Sequence, residues 1–393
     1  MPIPTRSFMR TDHAIRPTTT RCGLIAGIAL LVLAGLTRPI YADEPSGITA
    51  KRELQQLVGF DVPVPHLDDL DQAKARLDRV VELGANAVRL LVPLYQPHAG
   101  SREPRLDQRT GRGPTDADLL SLIEHARKLG LHTAVTPRIA LTRPPQGQRI
   151  ADLAPPQWEA WWIGYAQGVT HYARLSARGG VDVFGISDGL DSALDPLRHV
   201  GALNRWDALI ADVRDSFTGP VVIWAGTKRA AVTADALDLD WIGIRPGLAF
   251  EERDLRSERR LEKAVRQQWD ALRRTASDAS EQQQRPAALA GIGLPARSDG
   301  WNTPPYQPFA PAFIEENVPH ATSVQSDALR SFLQVWQKQI PAPPGSGDHE
   351  NLAAVFFADW RLDRPGGPFD PGYAMQGKPA EAILRRYFSG DHQ

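Results

Sequence analysis

The chain has 393 residues, 42% hydrophobic and 23% charged, with 45 Lys and Arg against 46 Asp and Glu for a formal charge of −1. That balance offers no basic footprint for nucleic acid. The single cysteine, Cys22, lies ahead of an N-terminal apolar run, which leaves residues 43–393 without a disulfide, a thiolate metal site or a cysteine nucleophile.

Residues 1–42 read as an export leader. Arg6, Arg10, Arg16 and Arg21 precede the apolar run Gly23–Leu36, and Ile40-Tyr41-Ala42 ends on a small residue suited to signal peptidase. The run is shorter than the ~20 residues of a spanning helix, so the expectation is cleavage and a periplasmic or extracellular protein. Cleavage removes five arginines and one aspartate, a net +4, and turns −1 into −5.

From Leu57 onward, strand and helix patterns alternate. Leu57–Val62 is the first strand, and a helix follows from Asp69 to Leu83 with apolar positions at Leu70, Ala73, Leu77, Val80 and Val81. Ala87–Leu94 is the second strand. A long polar loop, 96–114, leads to the capping-box pattern Thr115–Asp118 and a helix to Leu129. His132–Thr136 is the third strand, with Pro137-Arg138 at its exit. The helix Trp158–Arg178 carries Trp158, Trp161, Trp162, Tyr165 and Tyr172 at a spacing that packs them against a sheet.

The fourth strand, around Val181–Ile186, is bounded by Gly179-Gly180 and Gly189 and runs into a loop holding Asp188 and Asp191. After it come a helix at Trp206–Phe217, a strand at Val221–Trp224, a short helical piece at Ala234–Leu237 and a strand at Trp241–Ile244. A charged helix at Leu255–Thr275, a strand at Ala287–Ile292, a helix at Ser326–Gln339, a strand at Ala353–Trp360 and a helix at Pro379–Tyr387 complete the chain. Eight strand-then-helix units with right-handed crossovers predict one closed (β/α)8 TIM barrel over residues 43–393. Neither a Gly-rich dinucleotide fingerprint nor a P-loop is present, so no cofactor is expected. The ten histidines show no metal-ligand spacing, so no metal is expected either.

A barrel of this kind builds its site from strand C-termini and the loops after them. The substrate-binding candidates are Tyr95, Gln96, Arg138, Trp224, Arg245, Arg297 and Trp360: indoles that serve either as stacking platforms for sugar rings or as barrel filling, and guanidinium forks to hold an acidic sugar or another carboxylate. The arginines have an alternative use, neutralising Asp188, Asp191, Asp299 or Glu251.

Several stretches carry a resemblance to a known family: Gly84–Val88 with Val92–Gln96, Pro114–Leu119, Trp161–Tyr172, Gly180–Phe184, Trp241–Gly243, and above all the closing Gly372-Tyr373-Ala374-Met375-Gln376-Gly377-Lys378-Pro379-Ala380-Glu381. The chain resembles the TIM-barrel glycoside hydrolases of the β-mannanase type, glycoside hydrolase family 113. The resemblance implies an oligo- or polysaccharide partner and a retaining mechanism with two carboxyl groups about 5 Å apart, supplied by glutamates at the ends of strands four and seven.

In the matching registers, Ser187-Asp188-Gly189-Leu190 and Ala290-Gly291-Ile292-Gly293, both glutamate positions are glycine, Gly189 and Gly291. Strand three also has Thr136-Pro137-Arg138 where the family has Lys-Pro-His, and Arg245 stands where an acidic residue is usual. Three carboxylates remain as fallback catalytic candidates. Asp188 lies one residue early and points away from the lumen unless a bulge re-aims it. Asp191 sits in the loop, and Asp299 is distant from strand seven. The leading expectation is an exported barrel that binds a glycan without hydrolysing it. The alternatives are an active retaining hydrolase on mannan-type polysaccharide with relocated carboxylates, and a structural or protein-interaction module using loops 96–114 and 300–319.

Overall fold

The computed structural model describes residues 54–106, 113–195, 201–251, 253–254, 256–302, 306, 309, 320–340, 351–364 and 366–390. The expected leader, 1–42, and parts of both loops assigned to protein partners lie outside these residues.

Eight parallel strands pair in chain order and close into a barrel: β1 (Leu57–Pro63), β2 (Ala87–Gln96), β3 (His132–Leu141), β4 (Val183–Asp188), β5 (Val221–Gly226), β6 (Trp241–Arg245), β7 (Ala287–Ile292) and β8 (Leu352–Phe357). The crossovers carry α1 (Leu70–Glu82), α2 (Asp116–Lys128), α3 (Trp158–Gly179), α4 (Ala202–Arg214), α5 (Thr227–Ala236), α6 (Glu258–Gln283) and α7 (Thr322–Trp336), and α8 (Pro379–Phe388) follows β8. This is the (β/α)8 architecture that the alternating pattern predicts. No helix among the described residues is long and apolar enough to cross a membrane.

The boundaries differ from the predicted ones where the signal is weak. β2 and β3 run on together as far as Gln96 opposite Leu141, so Pro137 and Arg138 lie inside a strand. Proline's fixed φ is compatible with extended backbone. Helix α5 is longer than expected because its buried positions, Ala230, Thr233 and Ala234, are small and give little periodicity. Helix α6 continues to Gln283 on the same kind of small buried residue, Ala276, Ala279 and Ser280. Strand β8 stops at Phe357, which leaves Asp359 and Trp360 in the turn above it.

Two cores follow from the two faces of the strands. The outer core joins Val58, Phe60, Val62, Val88, Leu90 and Val92 to the helices, including Trp161, Trp162, Tyr165 and Tyr172 of α3. The lumen core comprises Leu57, Ala87, Ala134, Val183, Val222, Trp224, Ala288, Ala290 and Phe356 among others. The Trp224 indole meets the Phe356 ring edge-on at 6.1 Å. Room for it comes from Gly185, where a Cβ would stand 2.7 Å from Trp224 Nε1 and 2.3 Å from Thr136 Oγ1.

The predicted capping box at α2 is formed: Asp118 N donates to Thr115 Oγ1 at 3.1 Å, and Thr115 N donates to Asp118 Oδ2 at 3.2 Å. Thr115→Ala is expected to cost about 1 kcal/mol, measurable as a lowered urea midpoint with an unchanged slope.

Candidate functional site

Five charged side chains reach the upper lumen, Asp61, Arg89, Arg138 and Arg245 by strand alternation and Asp188 by a bulge. On β1 and β2 the period of two that points Leu57 and Ala87 inward also points Asp61 and Arg89 inward, and on β3 it does the same for Arg138. On β4 strict alternation from Val183 and Gly185 would turn Asp188 outward. The strand escapes this because its register against β5 shifts between Gly185 and Ser187. Ile186 faces the helices and gives its carbonyl to the Tyr165 hydroxyl at 2.9 Å, and Ser187 pairs with Ile223, an outer-core residue. Asp188 is thereby re-aimed into the lumen.

The result is a continuous buried ion network. Arg89 holds Asp61 through two parallel bonds of 2.7 Å and lies 3.3 Å from Asp188 Oδ2. Arg138 Nη1 donates to Asp188 Oδ2 at 2.8 Å, and Arg245 Nε lies 2.5 Å from Asp188 Oδ1. The Arg89 guanidinium also rests 4.6 Å over the Trp224 ring. Arg138 and Arg245 each donate a second nitrogen to one acceptor, the backbone carbonyl of Tyr306.

These contacts decide what Asp188 can do. Burial alone would raise its pKa, but Arg138, Arg245 and Arg89 outweigh burial and bring it down to about 2. It is a permanent anion at neutral pH, with no proton to give a leaving group and no face open to a sugar carbon. Burial draws the Arg138 pKa down to about 10, which still leaves it charged.

Gly189 and Gly291 face this same network. Gly189 has φ +73°, and a Cβ there would stand 2.1 Å from Arg245 Nη1. Gly291 has φ +72°, and its Cβ would lie 3.4 Å from Tyr306 Cδ1 and 4.0 Å from Arg245 Nε. Arg245 thus takes the space above Gly189, whereas above Gly291 a Cβ would meet Tyr306 in ordinary contact, and there it is the positive φ that disfavours a side chain.

Asp359, above β8, behaves differently from Asp188. Its Oδ2 accepts from the Tyr306 hydroxyl at 3.2 Å, and Arg361 stands 3.7 Å away. Burial dominates here and, against Arg361 and Lys378, raises its pKa to about 6. An acid whose folded pKa lies above the unfolded value near 3.8 stabilises the fold only where it is protonated in the native state. Its contribution is therefore greatest at the acid end and declines as pH rises from about 4 to 6. Asp359→Asn should raise the melting temperature relative to the parent at pH 7 and lose that advantage by pH 4, as read by calorimetry across pH.

The other predicted site residues lie elsewhere. Trp224 is fully buried as lumen filling, and Trp360 is fully buried against Phe60 at 5.1 Å with its Nε1 donating to the Arg76 carbonyl at 2.8 Å. Neither offers a ring face at the mouth. Gln96 faces α3, where it accepts from Trp161 Nε1 at 3.0 Å. Tyr95 is half-buried, with its backbone bridged to Arg105. Arg297 and Asp299 form a bidentate pair at 2.7–2.8 Å. Asp191 accepts from Gly226 N, at the start of α5, at 3.0 Å.

The structure brings Arg138, Asp188 and Arg245 together with Asp61, which the end of the first predicted strand already offered, and it adds Arg89 and Tyr306. The signal for Arg89 was present: a charged residue in an apolar strand, in phase with Ala87 and Leu91. Tyr306 has no periodic signal, because it belongs to a proline-rich loop. Among the described residues, no group of three or more His, Cys, Asp or Glu side chains could hold a metal ion.

The sequence model of Glycoside Hydrolase Family 113 matches residues 69–324. The chain belongs to glycoside hydrolase family 113. Its fold is similar to the family-113 β-mannanase AaManA of Alicyclobacillus acidocaldarius, at 20% identity over 86% of this chain and 98% of that one, with a TM-score of 0.65. A family-113 β-1,4-mannanase matches at 19% identity over 85% and 99% of the two chains, also at 0.65. A glycoside hydrolase family 5, subfamily 18 protein of Streptomyces cattleya, in complex with Manβ1-4GlcNAc, matches at 16% identity over 86% and 81%, at 0.55. No curated protein sequence matches the chain. At these identities the structural likenesses speak to the fold, and the chemistry rests on the residues of this family-113 member itself.

Proposed function

We propose that this protein is an exported family-113 barrel that binds a β-linked, mannan-type glycan at its mouth without hydrolysing it. The glycan class is taken from the family and from the mannanases whose fold it shares. The observation that carries the loss of hydrolysis is Asp188. The lumen-facing carboxylate at the end of β4 is locked as an anion by three arginines, and of the two glycine positions that the resemblance assigns to the family's glutamates, Gly189 has Arg245 in its space and both have positive φ. Retaining hydrolysis needs a carboxylic acid and a carboxylate flanking one sugar, and this mouth supplies neither at those positions.

Export is supported by the charged start, short apolar run and small residue at Ala42. N-terminal sequencing of the protein recovered outside the cytoplasm should begin at Asp43. For the glycan, calorimetry with β-1,4-manno-oligosaccharides is expected to show binding, while the same mixtures release no new reducing ends. Release of reducing ends by the parent protein overturns the proposal.

A further inference from the structure

The upper lumen carries more positive than negative charge. Arg89, Arg138 and Arg245 are three guanidinium groups, all buried, and their carboxylate partners are two, Asp61 and Asp188. Asp359 does not make up the difference, since Arg361 and Lys378 already act on it. The surplus is concentrated at the two arginines nearest the mouth. Arg138 and Arg245 each donate one nitrogen to the neutral carbonyl of Tyr306, and Arg89 Nη1 is buried with no hydrogen-bond partner among the described residues. A buried unpaired cation is costly, and a pair of guanidinium forks aimed at one oxygen is the arrangement that a carboxylate satisfies best.

We infer that the mouth selects a glycan carrying a carboxylate, a hexuronic acid unit, with Arg138 and Arg245 holding its carboxylate in the place occupied by the Tyr306 carbonyl. This rests on the glycan-binding reading and names the class of sugar within it. The geometry follows from the two glycines. Gly189 leaves the room that the Arg245 guanidinium fills, and Gly291 leaves open the space beside Arg245 Nε and the Tyr306 ring. A site whose family relatives are expected to present two carboxylates presents cations here, so the ligand charge it favours is reversed.

The test compares three trimers by calorimetry with the purified protein at low salt: β-1,4-linked mannuronate, its methyl ester, and β-1,4-linked mannotriose. These differ only at C6. The expected result is at least tenfold tighter binding of the acid than of the ester or the neutral sugar, with the preference shrinking as salt is raised. Arg245→Gln should abolish the preference and Arg245→Lys restore part of it, with near-UV circular dichroism confirming the fold. The ligand series alone decides the matter even if Arg245→Gln does not fold. Equal or tighter binding of mannotriose overturns this inference and leaves the glycan reading standing, whereas absence of binding by all three overturns both.

Discussion

Asp188→Asn is expected to lower the folding free energy by roughly 3–5 kcal/mol. The substitution keeps the shape of the side chain and removes the one charge that Arg89, Arg138 and Arg245 share, leaving three buried guanidinium groups with Asp61 alone to balance them. Urea denaturation should show the loss at pH 7. The deficit should shrink as the pH falls from about 4 toward 2, because the parent's own Asp188, with its folded pKa near 2, loses its charge there. Adding Arg245→Gln should recover part of the stability, since the double variant removes one of the cations that the first substitution left unpaired. A catalytic role for Asp188 predicts a different pattern: lost turnover with little change in stability.

Gly189→Glu, which writes a glutamate into the position the family resemblance assigns to the acid, should destabilise the barrel by roughly 2–5 kcal/mol and restore no hydrolysis. Two effects add. The backbone at Gly189 has φ +73°, a left-handed conformation that costs an L-residue about 1–2 kcal/mol. The new Cβ would also stand 2.1 Å from Arg245 Nη1. The end of a long side chain ordinarily yields cheaply, but this guanidinium is fixed by Asp188 and the Tyr306 carbonyl, so displacing it breaks the network, and overpacking of this kind costs about 1–3 kcal/mol. Thermal melts of Gly189→Glu and of Gly189→Glu with Arg245→Ala measure the two contributions separately. The double variant should regain the overpacking cost and keep the backbone cost.

Most of the barrel is legible in the sequence because its signals are local. A glycine-bounded apolar run marks β4, the Thr115–Asp118 pair starts α2, and the aromatic spacing on α3 declares a packed face. What is not legible depends on contacts between strands. Whether Asp188 faces in or out turns on a one-residue bulge between β4 and β5, and nothing in Gly185-Ile186-Ser187-Asp188 announces it. Strand alternation read alone gives the wrong side. Trp224 and Trp360 illustrate the opposite difficulty, since an indole near a strand end serves equally as a sugar platform or as packing, and here both are buried. Tyr306 reaches the network through its backbone carbonyl, a group every residue possesses, so its identity carried no hint of the role.

Under the proposal of binding without hydrolysis, the buried network stands in place of the hydrolytic machinery. Prolonged incubation of the purified protein with β-1,4-manno-oligosaccharides and their uronate counterparts between pH 4 and 8, with products separated by chain length, tests it most directly. Intact oligosaccharides throughout are the expected result. Shortened products that disappear in Asp188→Asn or Asp359→Asn would contradict it.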